Sequence, residues 1–164
     1  MTTFNEKGLL NPGFFEYKLN EIKTIFVDEF KESQTRKRNF NGFYSWLSEL
    51  LNICIPNEIW IDGSFVTNKT NPNDIDIVAF LEYQDYVGIS ERVDCLKKLG
   101  KENFCDIYIS ISPNDMISGN WKLINNRNYW RGQFGFDRED NPKGMIKMSK
   151  EYLSLVKEGI KDVK

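Results

Sequence analysis

Apolar side chains recur along this chain at two spacings, and the alternation between them predicts its elements. Ile22, Ile25, Phe26 and Phe30 return at helical spacing, which predicts a first helix over Asn20–Phe30. A second helix opens at the basic cluster Arg36-Lys37-Arg38, carries Phe40, Phe43, Tyr44, Leu47 and Leu51, and is ended by Pro56. The period then shortens. Glu58–Gly63 and Asp74–Leu81 read as strands joined by a polar loop rich in Asn, Thr and Pro. A third helix is expected between Asp85 and Leu99, with Ile89, Val93, Leu96 and Leu99 as its buried stripe and Gly100 as its stop. Cys105–Ser112 is a third strand. Beyond Pro113 a polar segment carrying Trp121, Leu123, Tyr129 and Trp130 reads as mainly helical. The turn Asp140-Asn141-Pro142 then leads to a short strand, Gly144–Met148, and a last helix, Lys150–Val163. The opening Gly8–Gly13 is an irregular lead-in with a turn at Pro12-Gly13. This order predicts an α/β (α+β) fold, a mixed β-sheet of three to five strands flanked by helices from both ends of the chain.

At 164 residues the chain suits one cored domain, residues 1–164, and is too short for two comfortable ones. Its 22 basic and 24 acidic residues leave a net charge of −2, which demands neither nucleic acid nor a membrane. Histidine is absent. That excludes Ser-His and Cys-His nucleophilic sites and leaves acid–base chemistry to carboxylates, lysine, tyrosine or cysteine. Cys54, Cys95 and Cys105 are widely spaced among apolar residues, a poor zinc set without histidine. They read as buried, reduced core thiols, which suits a reducing cytoplasm. No apolar run approaches the roughly 20 residues of a membrane span. A cytoplasmic chain with no membrane partner is expected.

The chemistry concentrates in a few acids. Two residues apart on a strand, Asp74 and Asp76 project from one face, about 6.5 Å apart. Val78 and Phe80 follow on that face, and Ile75, Ile77, Ala79 and Leu81 take the other, so the strand is buried with its acids at the mouth. Two carboxylates there repel one another unless a cation neutralises them, and hard oxygen ligands suit magnesium or manganese. Asp106, thirty residues after Asp76, shares its face with Tyr108 and Ser110, while Cys105, Ile107 and Ile109 point away. Beside the second strand it would complete a two-metal site. Gly63-Ser64 ends the first strand ten residues before Asp74. A glycine there lets the backbone approach a phosphate, the serine hydroxyl can bond its oxygens, and Lys69 adds positive charge. Singly these features are commonplace: a turn, a solvated strand end, a capping acid. Their order and spacing together point to a site for a nucleoside triphosphate and magnesium.

These residues resemble the DNA polymerase β-like nucleotidyltransferase superfamily, especially its minimal nucleotidyltransferases, whose signature is Gly-Ser, about ten residues, Asp-x-Asp and a later third acid. Here it reads Gly63-Ser64-Phe65-Val66-Thr67, then Asp74-Ile75-Asp76, then Asp106. The wider chain is similar to a mostly uncharacterised bacterial family within that superfamily, through Gly8-Leu9-Leu10-Asn11-Pro12-Gly13, Trp60-Ile61-Asp62-Gly63-Ser64-Phe65-Val66-Thr67, Asp137-Arg138 and Pro142-Lys143-Gly144-Met145-Ile146. The resemblance implies a nucleotidyltransferase-like sheet and a metal-dependent enzyme. It would move a nucleoside monophosphate from a triphosphate to a hydroxyl of a protein, an RNA or a small molecule. Asp74 and Asp76 would bind Mg2+ or Mn2+, Asp106 would help hold the metal and assist deprotonation, and Gly63 and Ser64 would hold the triphosphate. Superfamily relatives include toxin–antitoxin and phage-defence components, so a separate protein partner is an expectation by analogy. Many minimal members carry an arginine and a glycine soon after Gly-Ser. Val66 and Thr67 stand here instead, which leaves the phosphate grip to Lys69 or another cation.

Competing readings remain. A catalytically inactive nucleotidyltransferase-fold module for binding or regulation is the alternative from another class. A haloacid-dehalogenase-type phosphatase would need Asp-x-Asp-Gly-Thr where Ile77-Val78 follows the acids. Metal-dependent glycosyltransferases need a larger domain. Tyr129-Trp130-Arg131 would suit base stacking and Arg36-Lys37-Arg38 phosphates, but core aromatics and a solvated helix start are the plainer readings. The sequence leaves the places of Arg131, Arg138 and Lys143 open.

Overall fold

The computed structural model describes residues 4–112 and 121–161, the side chains of 121–125 and 161 excepted. Its elements are β1 (Gly13–Phe15), α1 (Leu19–Lys23), α2 (Arg36–Ile53), β2 (Glu58–Asp62), β3 (Ile75–Leu81), α3 (Tyr83–Gly88), α4 (Val93–Glu102), β4 (Cys105–Ile111), α5 (Trp121–Phe134), β5 (Gly144–Ser149) and α6 (Lys150–Lys161). The strands form one sheet in the order β1-β5-β2-β3-β4. β2 runs antiparallel to both β3 and β5, whereas β3–β4 and β1–β5 are parallel. The fold is therefore α+β, with a mixed five-stranded sheet flanked by six helices among the described residues.

Alternation along the strands gives the sheet two unequal faces. One carries Ile59, Ile61, Ile75, Ile77, Ala79, Leu81 and Ile107 into a large core with Ile22, Phe26, Phe43, Trp46, Leu47, Leu50, Leu96 and Leu153 of the helices. The other packs Trp60, Val78, Phe80 and Met145 against Phe134 and Trp130 of α5. No helix among the described residues is long and apolar enough to cross a membrane.

Several expectations shift. An extra strand, β1, begins where the lead-in ends and pairs with β5. The first helix is shorter than expected and continues as a π-helical turn over Thr24–Asp28, where the Glu29 N–H donates to the Thr24 carbonyl at 3.1 Å. The expected helix over 85–99 is broken by a 3₁₀ turn at Ser90–Arg92; Ile89 and Leu96 keep one buried stripe across the break. Gly100 is no stop. It lies inside α4, where an added Cβ would strike Ile107. Cys54 and Cys105 are buried, and burial pushes their thiols up to about 11 and about 12, but Cys95 is exposed. The third strand ends at Ile111, and the last helix is described as far as Lys161. Pro113, Val163 and the side chains of Trp121 and Leu123 lie outside the described residues.

Candidate active site

Register brings the acids together. Asp62 of β2 is the cross-strand partner of Asp76, and Asp76 that of Asp106 on β4. Three carboxylates thus form a row across three neighbouring strands, with Asp74 placed just before β3 rather than inside it as the sequence implied. The row lies along a cleft of about 840 Å³ that also takes in Gly63, Ser64, Lys69, Arg138 and Lys143. All six sequence-predicted site residues therefore line one cleft.

Gly63 has φ +79°, a left-handed conformation, and the Asp76 carboxylate occupies the space its Cβ would fill. A 3₁₀ turn over Gly63–Val66 follows, anchored by buried Phe65 and Val66. The Thr67 hydroxyl donates to the Ser64 carbonyl at 2.8 Å. Beneath this loop lies Arg36, which the sequence assigned to a solvated helix start and which is fully buried. Its guanidinium donates to the carbonyls of Phe26 (2.8 Å), Phe65 (2.7 Å), Thr67 (2.7 Å) and Lys69 (2.6 Å). Burial lowers it to about 10, so it stays charged at neutral pH. The π-helical turn matters here, because its Phe26 carbonyl is one of the acceptors. Asn39 donates to the Pro72 carbonyl at 3.0 Å and Asn71 accepts from the Gln34 N–H at 2.8 Å, which straps the rest of the loop to the start of α2. An arginine does serve the loop after Gly-Ser, but it comes from α2 and faces carbonyls.

Lys143, just before β5, is buried and forms an ion pair with buried Asp62. The sequence assigns neither partner a role; the signal it holds is the alternation that puts Asp62 on the face of Trp60. Lys69 is exposed, and Arg138 lines the same cleft. Arg131 stands apart, its guanidinium 5.9 Å from the Phe14 ring. At the β4 end the Tyr108 hydroxyl donates to Asp106 at 2.8 Å, and Tyr129 and Trp130 of α5 complete the wall.

Burial holds Asp76 at about 6, and the charges of Asp74 and Asp106 add to this, partly offset by Lys143 and Arg138. Burial also raises Asp62, against the pull of Lys143. Burial and its bond to Asp106 push Tyr108 up to about 12, which keeps the phenol a donor. Among the described residues no group of three or more carboxylate or thiol side chains forms a ready metal cage. The acids are neighbours in register along an open wall.

Fold and site define an α+β protein with a carboxylate-lined cleft at the mouth of two parallel strands. The chain belongs to the family of unknown function DUF6932, whose model matches residues 2–149, a stretch that holds every strand and every cleft residue named above. No curated protein and no solved structure matches it.

Proposed function

We propose that this protein transfers a nucleoside monophosphate from a nucleoside triphosphate to a hydroxyl, with magnesium or manganese as cofactor. The observation carrying this reading is the cross-strand register of Asp76 with Asp106 beside the turn at Gly63. Asp74, Asp76 and Asp106 would hold the cation. They fit one: all are hard oxygen donors, and Asp76 carries an acidic excess that positive charge relieves. When bound, the cation neutralises the triphosphate and acidifies the attacking hydroxyl. Ser64 and Lys69 would bond phosphate oxygens, with Gly63 giving them close approach. The acceptor oxygen bonds to the α-phosphorus while the bond from that phosphorus to the bridging oxygen breaks. The hydroxyl proton passes to Asp106, which is exposed to an incoming acceptor, and pyrophosphate leaves with the electron pair. A reducing cytoplasm suits the free thiols of this chain. A toxin–antitoxin or phage-defence role with a separate protein partner is proposed on resemblance alone.

The commitment of Lys143 to Asp62 favours a second reading, a module that binds nucleotide without transfer. Pyrophosphate release separates the two. Release from at least one triphosphate with magnesium or manganese, lost in Asp76→Ala, is expected of the transferase. Nucleotide binding with no release under any metal would mark the module.

A further inference from the structure

The cleft is chemically asymmetric about its acid row. Lys143 and Gly63 lie toward β2; a wall of rings stands at the β4 edge. The Tyr108 ring is 4.5 Å from that of Trp130, and Trp130 is 5.1 Å from Tyr129, which meets it edge-on. Tyr129 is 57% exposed on the cleft wall, so it is not core. A second aromatic lies just outside. Phe104, two residues before Asp106, is 38% exposed at φ 58°, a conformation a bulky side chain rarely adopts. The Arg38 guanidinium stacks 3.7 Å from its ring, and Lys37 lines the same groove of about 570 Å³. Groove and cleft meet at Asn73, which lines the cleft and whose carbonyl lies 3.5 Å from the Arg38 guanidinium.

From this juxtaposition we infer that the acceptor is the end of a single-stranded polynucleotide. Its terminal base stacks on Tyr129 beside Asp106, and the preceding phosphates run past Asn73 to Lys37 and Arg38, with Phe104 taking a second base. Rings offer a surface to any base, while exposed cations pair with the backbone. An acceptor side chain of a protein needs neither, and a free small molecule needs no basic groove beyond the cleft. The word acceptor rests on the transferase reading; the binding site does not.

The test uses the full chain, a chelator, no triphosphate, and a short single-stranded RNA ending in 2-aminopurine, with a duplex of the same sequence for comparison. Micromolar binding with quenched 2-aminopurine fluorescence is expected. Tyr129→Ala should abolish the quench and weaken binding about tenfold, while Tyr129→Phe retains both. Lys37→Ala with Arg38→Ala should weaken binding and flatten its salt dependence. No binding at roughly 100 µM, equal binding of the duplex, or an unchanged quench in Tyr129→Ala would overturn the inference. RNA binding without pyrophosphate release removes the transferase reading alone; transfer to a protein without RNA binding removes this inference alone.

Discussion

Gly63 meets two constraints at once, a left-handed backbone and a carboxylate where its side chain would be. Gly63→Ala is expected to cost about 2 kcal/mol or more in urea denaturation and to end pyrophosphate release. Arg36 is equally committed. A neutral side chain such as Met leaves four carbonyls, two of them buried, short of a charged donor, and a loss of about 3 kcal/mol or more is expected from the same measurement. Asp76 works in the opposite direction. Its carboxyl sits at about 6 in the folded protein against the usual 3.8, so between these values the native state binds more protons than the unfolded chain. Its contribution to stability therefore falls as pH rises through that window, with burial driving the loss, Asp74 and Asp106 adding to it and Lys143 and Arg138 softening it. In chelator, Asp76→Asn should melt higher than wild type above pH 6, and the two should converge near pH 4. A lower melting point for the variant at neutral pH would contradict this.

At the scale of elements, what was legible follows from what leaves a local trace. Strands β2, β3 and β4 and two of the acids announce themselves because period-two alternation sorts Asp76 and Asp106 onto one face with Val78 and Tyr108. Asp62 with Lys143 leaves no such trace, since the partners are 81 residues apart and meet only when β5 adds to β2. Arg36 misleads for a related reason: its partners are carbonyls, which have no sequence signature. β1 spans three residues after a turn and is defined by its partner strand. The break between α3 and α4 is hidden because Ile89 holds the apolar stripe through it. The ion pair makes its own prediction. Lys143→Met leaves a buried carboxylate alone and should cost about 3–5 kcal/mol. Adding Asp62→Asn should recover much of that in the denaturation midpoint, and a double variant no better than the single one would show that the pair does not act as a unit.

Across the whole molecule, the sheet separates stability from chemistry. One face is closed by helices from both ends of the chain. The other is only partly covered by α5, and the acid row opens where that cover stops. The excess of negative charge there is a cost of folding that a cation offsets by binding the native state and not the unfolded chain. Millimolar magnesium or manganese should therefore raise the melting temperature of wild type and leave Asp74→Ala unmoved. An equal rise in both would place the ions elsewhere. The central claim is nucleotidyl transfer, and the most direct measurement incubates the purified protein with each α-labelled nucleoside triphosphate, magnesium or manganese, and cell extract. Covalent label on RNA, lost in Asp74→Ala, is the expected result. Absence of covalent label on any macromolecule or small molecule, with every nucleotide and both metals, would contradict it.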